Sequence, residues 1–382
     1  MMRALDVIGL GVASPLGSSV QEFWARLGSE QGGPEDLCFP VEHLANSRFY
    51  LSKTKFDELD SCGESQAFCL AAHAIRQAVA DAKIDLSRER VGLVLGTGAG
   101  DIELFERHNF DADAVNVGTA YDLAARLGRH LKFNGPVISI STACSASAAA
   151  FAVASELLED GSVEAVVVCG VESLSRTTLA TFNRLQALDP DRCRPFEESR
   201  AGTVLGDGSA ALVLRTSMPE SDVQVYARMS GIGLVCDAHH PTAPRPDGTK
   251  IAAAARDALA QAGIDAEDIV LIVPHGTGTL ANDEAEYVML RQLFGVRLPS
   301  IPMFPLKSRI GHSSGGAGAF SVLTLALMLH HREVPSGRSG ALSPNFDLHI
   351  PEATLSIKAG CGLVNAYSFG GNHVSLVMEA SL

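Results

Sequence analysis

The sequence predicts a layered α/β protein built from two related halves. Residues 72–98 match residues 252–278 at a constant offset of 180 positions, with eleven identities in 27 positions and no gap. Each copy opens with an Ala-rich amphipathic segment and continues, after a polar turn, into a run of apolar residues. Ala-rich segments favour helices that approach a sheet closely, and apolar runs without alternation are typical of strands buried on both faces. We therefore infer an internal duplication of a helix-strand unit, with helices over residues 72–79 and 252–259 and strands over residues 91–95 and 269–273.

Buried strands and a small-residue helix recur along the rest of the chain. Apolar strands are predicted over residues 137–140, 165–169 and 363–367, and an apolar helix over residues 319–329. A polar stretch at residues 217–222, which contains Pro219, separates the two halves. Because this stretch is too short to hold two domains apart, we expect residues 1–220 and 221–382 to form two halves of one fused core.

Composition and charge exclude several classes of protein. Of the 382 residues, 46% are hydrophobic and 19% are charged, which is enough apolar side chain to bury a large core. The 44 acidic and 30 basic residues give a net charge of −14, which argues against a nonspecific binder of nucleic acid or anionic membranes. The sequence contains no signal-peptide pattern and no run of 18 apolar residues, so we expect a cytoplasmic protein.

Metal and dinucleotide sites are also disfavoured. The eight cysteines form neither a CxxC pair nor a cluster with histidines at zinc spacing. The segment Gly96-Thr97-Gly98-Ala99-Gly100 lacks the GxGxxG spacing of a dinucleotide site. We therefore expect no metal and no bound cofactor.

Cys144 is the strongest candidate nucleophile in the sequence. It follows the predicted strand at residues 137–140 and precedes a run of small residues that predicts a centrally buried helix. At a helix N-terminus, unpaired backbone N–H groups and the helix dipole favour the thiolate, which lowers the pKa of a cysteine and activates it. An inert core cysteine is the alternative, and the sequence around Cys144 leaves both interpretations open.

Two histidines shift the balance towards catalysis. His275 follows the predicted strand at residues 269–273 and enters a Gly/Thr-rich loop, and His312 lies in a Gly/Ser-rich turn before the apolar helix. Loops at the ends of buried strands are where α/β proteins place their chemistry. We therefore predict a Cys-His-His site. The histidines that we leave outside it are His239, His240, His330, His331 and His373.

These residues lie within motifs that resemble the elongating β-ketoacyl-acyl carrier protein synthases, the ketosynthases of the thiolase superfamily. The similar segments run from end to end of the chain, and they are Gly9-Leu10-Gly11-Val12-Ala13-Ser14-Pro15-Leu16-Gly17, Thr142-Ala143-Cys144-Ser145, Cys193-Arg194-Pro195-Phe196, Gly206-Asp207-Gly208, Asp237-Ala238-His239-His240-Pro241-Thr242-Ala243-Pro244, His275-Gly276-Thr277-Gly278-Thr279, Lys307 to Gly318 and Phe369-Gly370-Gly371. The resemblance implies the α/β thiolase fold, in which duplicated βαβαβαββ halves make a five-layered αβαβα core.

The resemblance also implies a decarboxylative Claisen condensation. Cys144 would accept an acyl group from an acyl carrier protein, and malonyl-acyl carrier protein would lose carbon dioxide to form a carbanion that attacks the acyl thioester. The backbone N–H groups of Cys144 and Phe369 would form one oxyanion hole. The neutral Nε2–H groups of His275 and His312 would stabilise the enolate.

Further site residues follow from the same resemblance. Lys307, paired with Glu286, would orient the site around His312. The residues that would bind substrate are Thr277 and Thr279 at the phosphopantetheine arm, Thr242 near the malonyl group, and Phe369 with Gly370 at the gate between the acyl pocket and the malonyl site. No cofactor is implied beyond the phosphopantetheine of the carrier protein.

Several segments depart from the family pattern. The chain between Gly98 and Pro136 is short and lacks a recognisable Met- and Pro-rich segment, and the connection over residues 185–193 is also short. The usual gate sequence Gly-Phe-Gly-Gly-Thr-Asn is replaced by Ser368-Phe369-Gly370-Gly371-Asn372-His373. Because these departures lie in pocket and interface segments, our hypothesis is a fatty-acid-like or polyketide-type enzyme of secondary metabolism, with acyl length left open.

The implied partners are an acyl carrier protein and a second chain, in a homodimer or a heterodimer with a ketosynthase-like subunit. Carrier proteins are acidic, so docking on a chain of net charge −14 requires a local basic patch. One candidate comprises Lys53 and Lys55. Its positive charge is reduced by the acidic residues at positions 57, 58 and 60. The other comprises Arg126, Arg129 and Lys132, and for each the alternative is a solvated charged face.

Three rival functions remain from the sequence. A thiolase would need a second catalytic cysteine late in the chain, and Cys361 lacks the Cys-Gly-Gly context of that class. A noncatalytic chain-length factor shapes a partner's pocket and characteristically lacks the cysteine, whereas this chain retains it. A decarboxylase that releases its product without condensation is compatible with all of the residues above.

Overall fold

The computed structural model describes residues 3–29, 32–37, 48–54, 64–110, 119, 121–217, 223–337 and 340–381. The predicted boundary between residues 220 and 221 lies outside these ranges. The strands are β1 (Leu5–Ala13), β2 (Glu35–Asp36), β3 (Arg48–Phe49), β4 (Val91–Gly96), β5 (Val137–Ile140), β6 (Ala165–Glu172), β7 (Gly208–Thr216), β8 (Ala227–Cys236), β9 (Ile269–Val273), β10 (Glu333–Val334), β11 (Leu355–Ser356), β12 (Cys361–Ala366) and β13 (Asn372–Ala380). The helices are α1 (Val20–Leu27), α2 (Gln66–Asp81), α3 (Ile102–Phe110), α4 (Leu123–Leu131), α5 (Ala146–Glu159), α6 (Arg176–Arg184), α7 (Thr249–Ala262), α8 (Leu280–Phe294), α9 (Lys307–Ile310) and α10 (Ala317–His331).

The predicted strands and helices are present. The strands predicted at residues 137–140 and 269–273 coincide with β5 and β9. Helix α2 begins before the Ala-rich segment, at Gln66, because the side chain of Ser65 accepts a hydrogen bond from the backbone N–H of Phe68 and caps the helix. Helix α7 likewise begins earlier than predicted, at Thr249.

The main sheet joins the two halves edge to edge. Its strand order is β5-β4-β6-β7-β1-β8-β13-β12-β9. The halves meet where β1 pairs with β8, through Leu5 with Met229, Asp6 with Arg228 and Val7 with Ala227. Strand β5 lies at one end of the order and pairs in parallel with β4.

Three hydrophobic clusters divide the protein into five layers. Helices α2 and α4 pack on the outer face of the first half-sheet, and α7 and α8 pack on the outer face of the second. Helices α5 and α10 lie between the half-sheets and share one core with both. This arrangement confirms the predicted αβαβα layering. Within the described ranges, no helix combines the length and apolar character needed to cross a bilayer.

Glycines on the two central strands allow the Ala-rich helices to approach the sheet closely. A Cβ atom on Gly11 of β1 would lie 1.9 Å from the carbonyl oxygen of Ala74 in α2. A Cβ atom on Gly233 of β8 would lie 1.9 Å from the carbonyl oxygen of Ala254 in α7. Each outer helix therefore contacts its strand backbone directly, and only glycine leaves room for that approach.

The turns before the two central helices are also duplicated. Short 3₁₀ turns at Ala143–Ser145 and Ser314–Gly316 lead directly into α5 and α10. Ala143 and Ser314 occupy the same place in the two turns, and both have positive φ, at 49° and 38°. Left-handed backbone is unfavourable for such residues, so the surrounding core holds both turns in a strained conformation.

Candidate active site

One pocket brings together the predicted nucleophile and both predicted histidines. It also contains four of the predicted substrate-binding residues, Thr242, Thr277, Thr279 and Phe369. The residues that line it are Cys144, Phe182, Ala187, Thr203, Thr242, Ala243, Pro244, His275, Thr277, Thr279, Ala281, Asn282, His312, Tyr367, Ser368, Phe369 and His373. Lys307, Glu286 and Gly370 lie outside this lining.

Cys144 lies in the strained turn at the N-terminal end of α5 and is 6% exposed. Burial raises the pKa of its thiol to about 12, although the Lys307 charge and the backbone N–H groups of Phe369 and Cys144 favour the thiolate. The sequence-based expectation of a lowered pKa is therefore wrong for this conformation, because desolvation outweighs the helix terminus. The two N–H groups that act on the sulfur are those predicted for the oxyanion hole.

His275 and His312 face each other as neutral imidazoles. Their ring centroids are 5.6 Å apart, with the ring planes at 87°. Burial, aided by the nearby Lys307 charge, holds the pKa of each histidine well below its ordinary value. Each neutral imidazole offers one N–H donor and one acceptor nitrogen for hydrogen bonds without adding a charge to the pocket.

Lys307 is hydrogen-bonded to His275, and its charge also acts on His312. Its Nζ donates to the backbone carbonyl of His275 and lies 3.4 Å from His275 Nδ1. Because an ammonium group has no acceptor, Nδ1 must be the acceptor, which leaves the His275 proton on Nε2. Lys307 therefore selects the tautomer that the predicted Nε2–H donor requires.

Glu286 is bound by backbone groups and makes no direct ion pair with Lys307. Its two carboxylate oxygens accept from the N–H groups of His275 and Gly276, each at 2.8 Å. Burial raises the pKa of Glu286 to about 7 and lowers the pKa of Lys307. The predicted Lys307–Glu286 pair is therefore an interaction without a direct contact: Glu286 is the main charge acting on Lys307, and both side chains bind the His275 backbone.

Phe369 is held in a turn that the loop after β8 supports. The Gly370 N–H donates to the Pro241 carbonyl and the Asp237 N–H donates to the Gly371 carbonyl, both at 2.7 Å. The Phe369 ring stacks on Phe182 with centroids 5.6 Å apart and ring planes at 28°. Gly370 has a φ of 81°, so its place in the turn requires a residue that tolerates left-handed backbone.

An apolar cluster surrounds Cys144 on one side of the pocket. Its buried members are Phe49, Cys144, Leu179, Phe182 and Leu205, with Phe369 packed against them. The same pocket is also lined by His275, His312 and four threonines, at positions 203, 242, 277 and 279. The thiol therefore lies where an apolar region meets a polar one.

Sequence reasoning missed several residues of the site. Phe182 and Tyr367 line the pocket without any local motif, and His373, which we had left outside the site, also lines it. The replacement of the family asparagine by His373 was the available signal. Glu172 is a fourth omission: its carboxylate accepts from the N–H groups of Gly98, Ala99 and Gly315, and so ties together loops from both halves.

In each candidate basic patch, one basic side chain is bound to neighbouring carboxylates. Lys53 forms an ion pair with Glu35 at 2.6 Å, and Lys55 with the acidic residues at 57, 58 and 60 lies outside the described residues. Arg126 is bound to Asp101 at 2.5 Å and also to Glu64. Among the described residues, no group of three or more His, Cys, Asp or Glu side chains is placed to hold a metal ion.

Comparison with protein families assigns most of the chain. Residues 2–218 match the N-terminal domain of the β-ketoacyl synthases, and residues 226–339 match the C-terminal domain. A 3-oxoacyl-[acyl-carrier-protein] synthase 2 from Synechocystis sp. is 29% identical, over 99% of this chain and 98% of the relative. The protein of the same name from Staphylococcus aureus strain COL is 26% identical over the same shares.

Solved structures of similar fold include two ketosynthases described with chain-length factors. The ishigamide ketosynthase/chain length factor superimposes with a TM-score of 0.90 and 28% identity, over 100% of both chains. The ketosynthase ApeO in complex with its chain length factor ApeC, from Xenorhabdus doucetiae, has a TM-score of 0.86 and 25% identity, over 99% of this chain and 98% of that one.

Proposed function

The chain belongs to the β-ketoacyl synthase family, and from that premise we propose that Cys144 is the acyl-accepting nucleophile of a decarboxylative condensation. The protein is an acyltransferase of the condensing class, a 3-oxoacyl-acyl carrier protein synthase. The observation that carries the residue assignment is the single pocket that holds Cys144, His275 and His312.

In the transfer step, the Cys144 sulfur attacks the carbonyl carbon of a carrier-protein thioester. The backbone N–H groups of Cys144 and Phe369 stabilise the oxyanion that forms, and both already act on the sulfur. The bond from the carbonyl carbon to the phosphopantetheine sulfur then breaks. A neutral pocket histidine relays the thiol proton of Cys144 to the departing thiolate.

In the condensation step, malonyl-acyl carrier protein loses carbon dioxide, and the electron pair of the broken carbon–carbon bond forms an enolate. His275 donates from Nε2, the position that its contact with Lys307 requires, and His312 is the second donor. The enolate carbon attacks the acyl-Cys144 thioester, and the carbon–sulfur bond breaks. The product is a β-ketoacyl thioester two carbons longer, with Cys144 regenerated.

The apolar cluster around Cys144 provides the acyl pocket. Phe369 stacked on Phe182 forms the gate between this cluster and the polar side of the site. Thr277 and Thr279, whose hydroxyl groups are 2.9 Å apart, bind the phosphopantetheine arm, and Thr242 lies near the malonyl group.

The assignment is tested by intact-protein mass spectrometry of the wild type and Cys144→Ala. Each is mixed with a panel of acyl-acyl carrier proteins, followed by malonyl-acyl carrier protein. We expect an acyl adduct on the wild type alone, discharged as a ketoacyl product two carbons longer. An adduct on both proteins would overturn the role of Cys144.

A chain-length factor remains the alternative function, because two structural relatives are described with such a partner. The retention of Cys144, His275 and His312 in one pocket favours the catalytic function. The thiolase alternative is further weakened because Cys361 begins β12 and does not line the pocket. Release of a decarboxylated product without chain extension in the mass-spectrometric test would favour the decarboxylase alternative.

We also propose the partners and setting of the enzyme. Strand β5 ends the sheet, and its four residues are only half-buried in the single chain, which supports a second ketosynthase-like chain at that edge. The acyl carrier protein delivers both substrates. Sedimentation velocity would test the dimer. We further propose that residues 1–220 and 221–382 form the two halves of the core. The enzyme would be cytoplasmic and would act in secondary metabolism.

A further inference from the structure

Four rings follow one another along a wall of the catalytic pocket: those of His312, His275, Tyr367 and His373. Neighbouring centroids are 5.6, 5.3 and 5.3 Å apart. The condensation described above uses the first two rings. Tyr367 and His373 are each 2% exposed and also line the pocket, yet they have no role in that chemistry.

Tyr367 and His373 carry buried polar atoms that have no hydrogen-bond partner among the described residues. The Tyr367 hydroxyl and both ring nitrogens of His373 are buried and make no hydrogen bond. His373 Nε2 lies 3.8 Å from Asp237 Oδ2, which is longer than a hydrogen bond, and that oxygen accepts from the Arg245 N–H at 3.0 Å. Because buried polar groups are nearly always paired, these atoms indicate a polar group on a bound molecule.

The distribution of polarity in the pocket indicates which substrate supplies that group. The cluster around Cys144 is apolar and suits an acyl chain. A saturated acyl chain has nothing that Tyr367 or His373 could bind. The extender unit carries a carboxylate, which accepts hydrogen bonds from O–H and N–H donors.

We propose that Tyr367 and His373 form a polar subsite that binds the carboxylate of a malonyl-type extender unit. The Tyr367 hydroxyl donates to one carboxylate oxygen, and an N–H of His373 donates to the other. The Asp237 carboxylate, 3.8 Å from His373 Nε2, is a positioning residue that favours the tautomer with the proton on that nitrogen. This inference rests on the proposed condensation, in which malonyl-acyl carrier protein supplies the extender unit.

The state of the two side chains supports this role. Burial raises the pKa of Tyr367 well above its ordinary value, so the hydroxyl keeps its proton at working pH. Neither ring nitrogen of His373 has a hydrogen-bond partner, so the N–H of the neutral imidazole is available to a substrate oxygen. Both groups can therefore act as donors.

The test separates the two half-reactions in Tyr367→Phe, His373→Leu and His373→Asn. We expect the rate of Cys144 acylation by acyl-acyl carrier protein to stay within about twofold, while the KM for malonyl-acyl carrier protein rises about tenfold in Tyr367→Phe and His373→Leu. His373→Asn, which keeps an N–H donor, should show a smaller rise. Acetyl-acyl carrier protein, which lacks the carboxylate, should compete equally well against the wild type and all three variants.

Tyr287→Phe is the matched control, because Tyr287 packs against Phe346 outside the catalytic pocket. An unchanged KM for malonyl-acyl carrier protein in both Tyr367→Phe and His373→Leu would overturn the subsite, and so would an equal loss of acylation and condensation. If the wild type condenses and the variants match it, the subsite alone fails. If the wild type condenses no malonyl-acyl carrier protein with any donor, the proposed function fails and the subsite falls with it.

Discussion

The Cys144 thiol stays protonated near neutral pH, because burial raises its pKa to about 12. Its sulfur sits among apolar side chains, where a negative charge is poorly solvated, and this cost outweighs the backbone N–H groups and the Lys307 ammonium. The sequence could place Cys144 in a tight turn before a helix, because small residues and the preceding strand are visible in it. It could not show how completely the folded chain removes water from the sulfur.

This raised pKa predicts the pH dependence of Cys144 alkylation. Only the thiolate reacts, and well below the pKa of about 12 its fraction grows tenfold per pH unit. We therefore expect the rate of modification by iodoacetamide to climb steadily from about pH 7 to about pH 9, as measured by peptide mass spectrometry with Cys144→Ala as background. A rate that levels off near pH 8 would contradict a raised pKa.

Lys307 provides a second prediction at this scale. Replacement by Met removes the charge that makes His275 Nδ1 an acceptor, so the Nε2–H tautomer is no longer selected. We expect kcat for condensation to fall about a hundredfold, as is usual when an oxyanion donor is lost, with a smaller effect on Cys144 acylation. Single-turnover assays of each step would measure this. Lys250→Met, on the exposed surface of α7, should match the wild type, and equal losses in both steps would contradict the assignment.

The two duplicated helices pack on their strands in the same way. The offset of 180 residues identifies α2 and α7 as copies, and the alanines explain why they approach the sheet. The strand glycines against which these helices pack, Gly11 of β1 and Gly233 of β8, lie outside the two matching segments. Pairing each helix with its strand therefore required the folded structure.

We expect Gly11→Ala and Gly233→Ala to destabilise the protein by similar amounts. Each new methyl group would meet a helix carbonyl oxygen at 1.9 Å, and overpacking of this kind costs about 1–3 kcal/mol. Urea denaturation would measure the free energy of unfolding. Gly33→Ala, where a Cβ atom meets nothing within 4 Å, is the control, and a neutral result at either strand would show that the helix can move aside.

Buried ionisable groups set the pH response of the whole molecule. Burial raises the pKa of Glu172 and Asp207 to about 7, so the folded protein retains protons that the unfolded chain releases at lower pH. Their contribution to stability therefore declines as the pH rises towards and through about 7. His275, His312 and His373 have lowered pKa values, so the unfolded chain binds protons more readily and stability declines as the pH drops below their ordinary pKa.

Above the ordinary pKa of histidine, the histidines no longer take up protons in the unfolded chain, so only the buried carboxyls still change the stability with pH. We expect the free energy of unfolding, measured in urea, to decrease from about pH 6.5 to about pH 7.5, by up to about 1.4 kcal/mol per pH unit for each titrating carboxyl. Asp207→Asn should flatten this slope, because it removes one of the groups. A stability that rises across the same interval would contradict the raised carboxyl pKa values.

At the scale of the molecule, sequence reasoning identified the family and the layered fold, and it selected Cys144, His275 and His312, which line one pocket in the structure. Ordered motifs carry that information even when overall identity is low. The partner contacts of Lys307, Glu286 and His373 depend on where loops from different halves meet, which local motifs do not encode. These are the positions where the predictions needed correction.

The duplicated turns before α5 and α10 differ in the side chain that each can accommodate. Gly315 occupies the place in the second turn that Cys144 has in the first, and its N–H is bound to Glu172. A Cβ atom at 315 would lie 2.0 Å from the backbone nitrogen of Gly98, so no side chain fits there. The two halves are therefore not interchangeable at this position, because a side chain like that of Cys144 would fit at 315 only if the Gly98 backbone shifted.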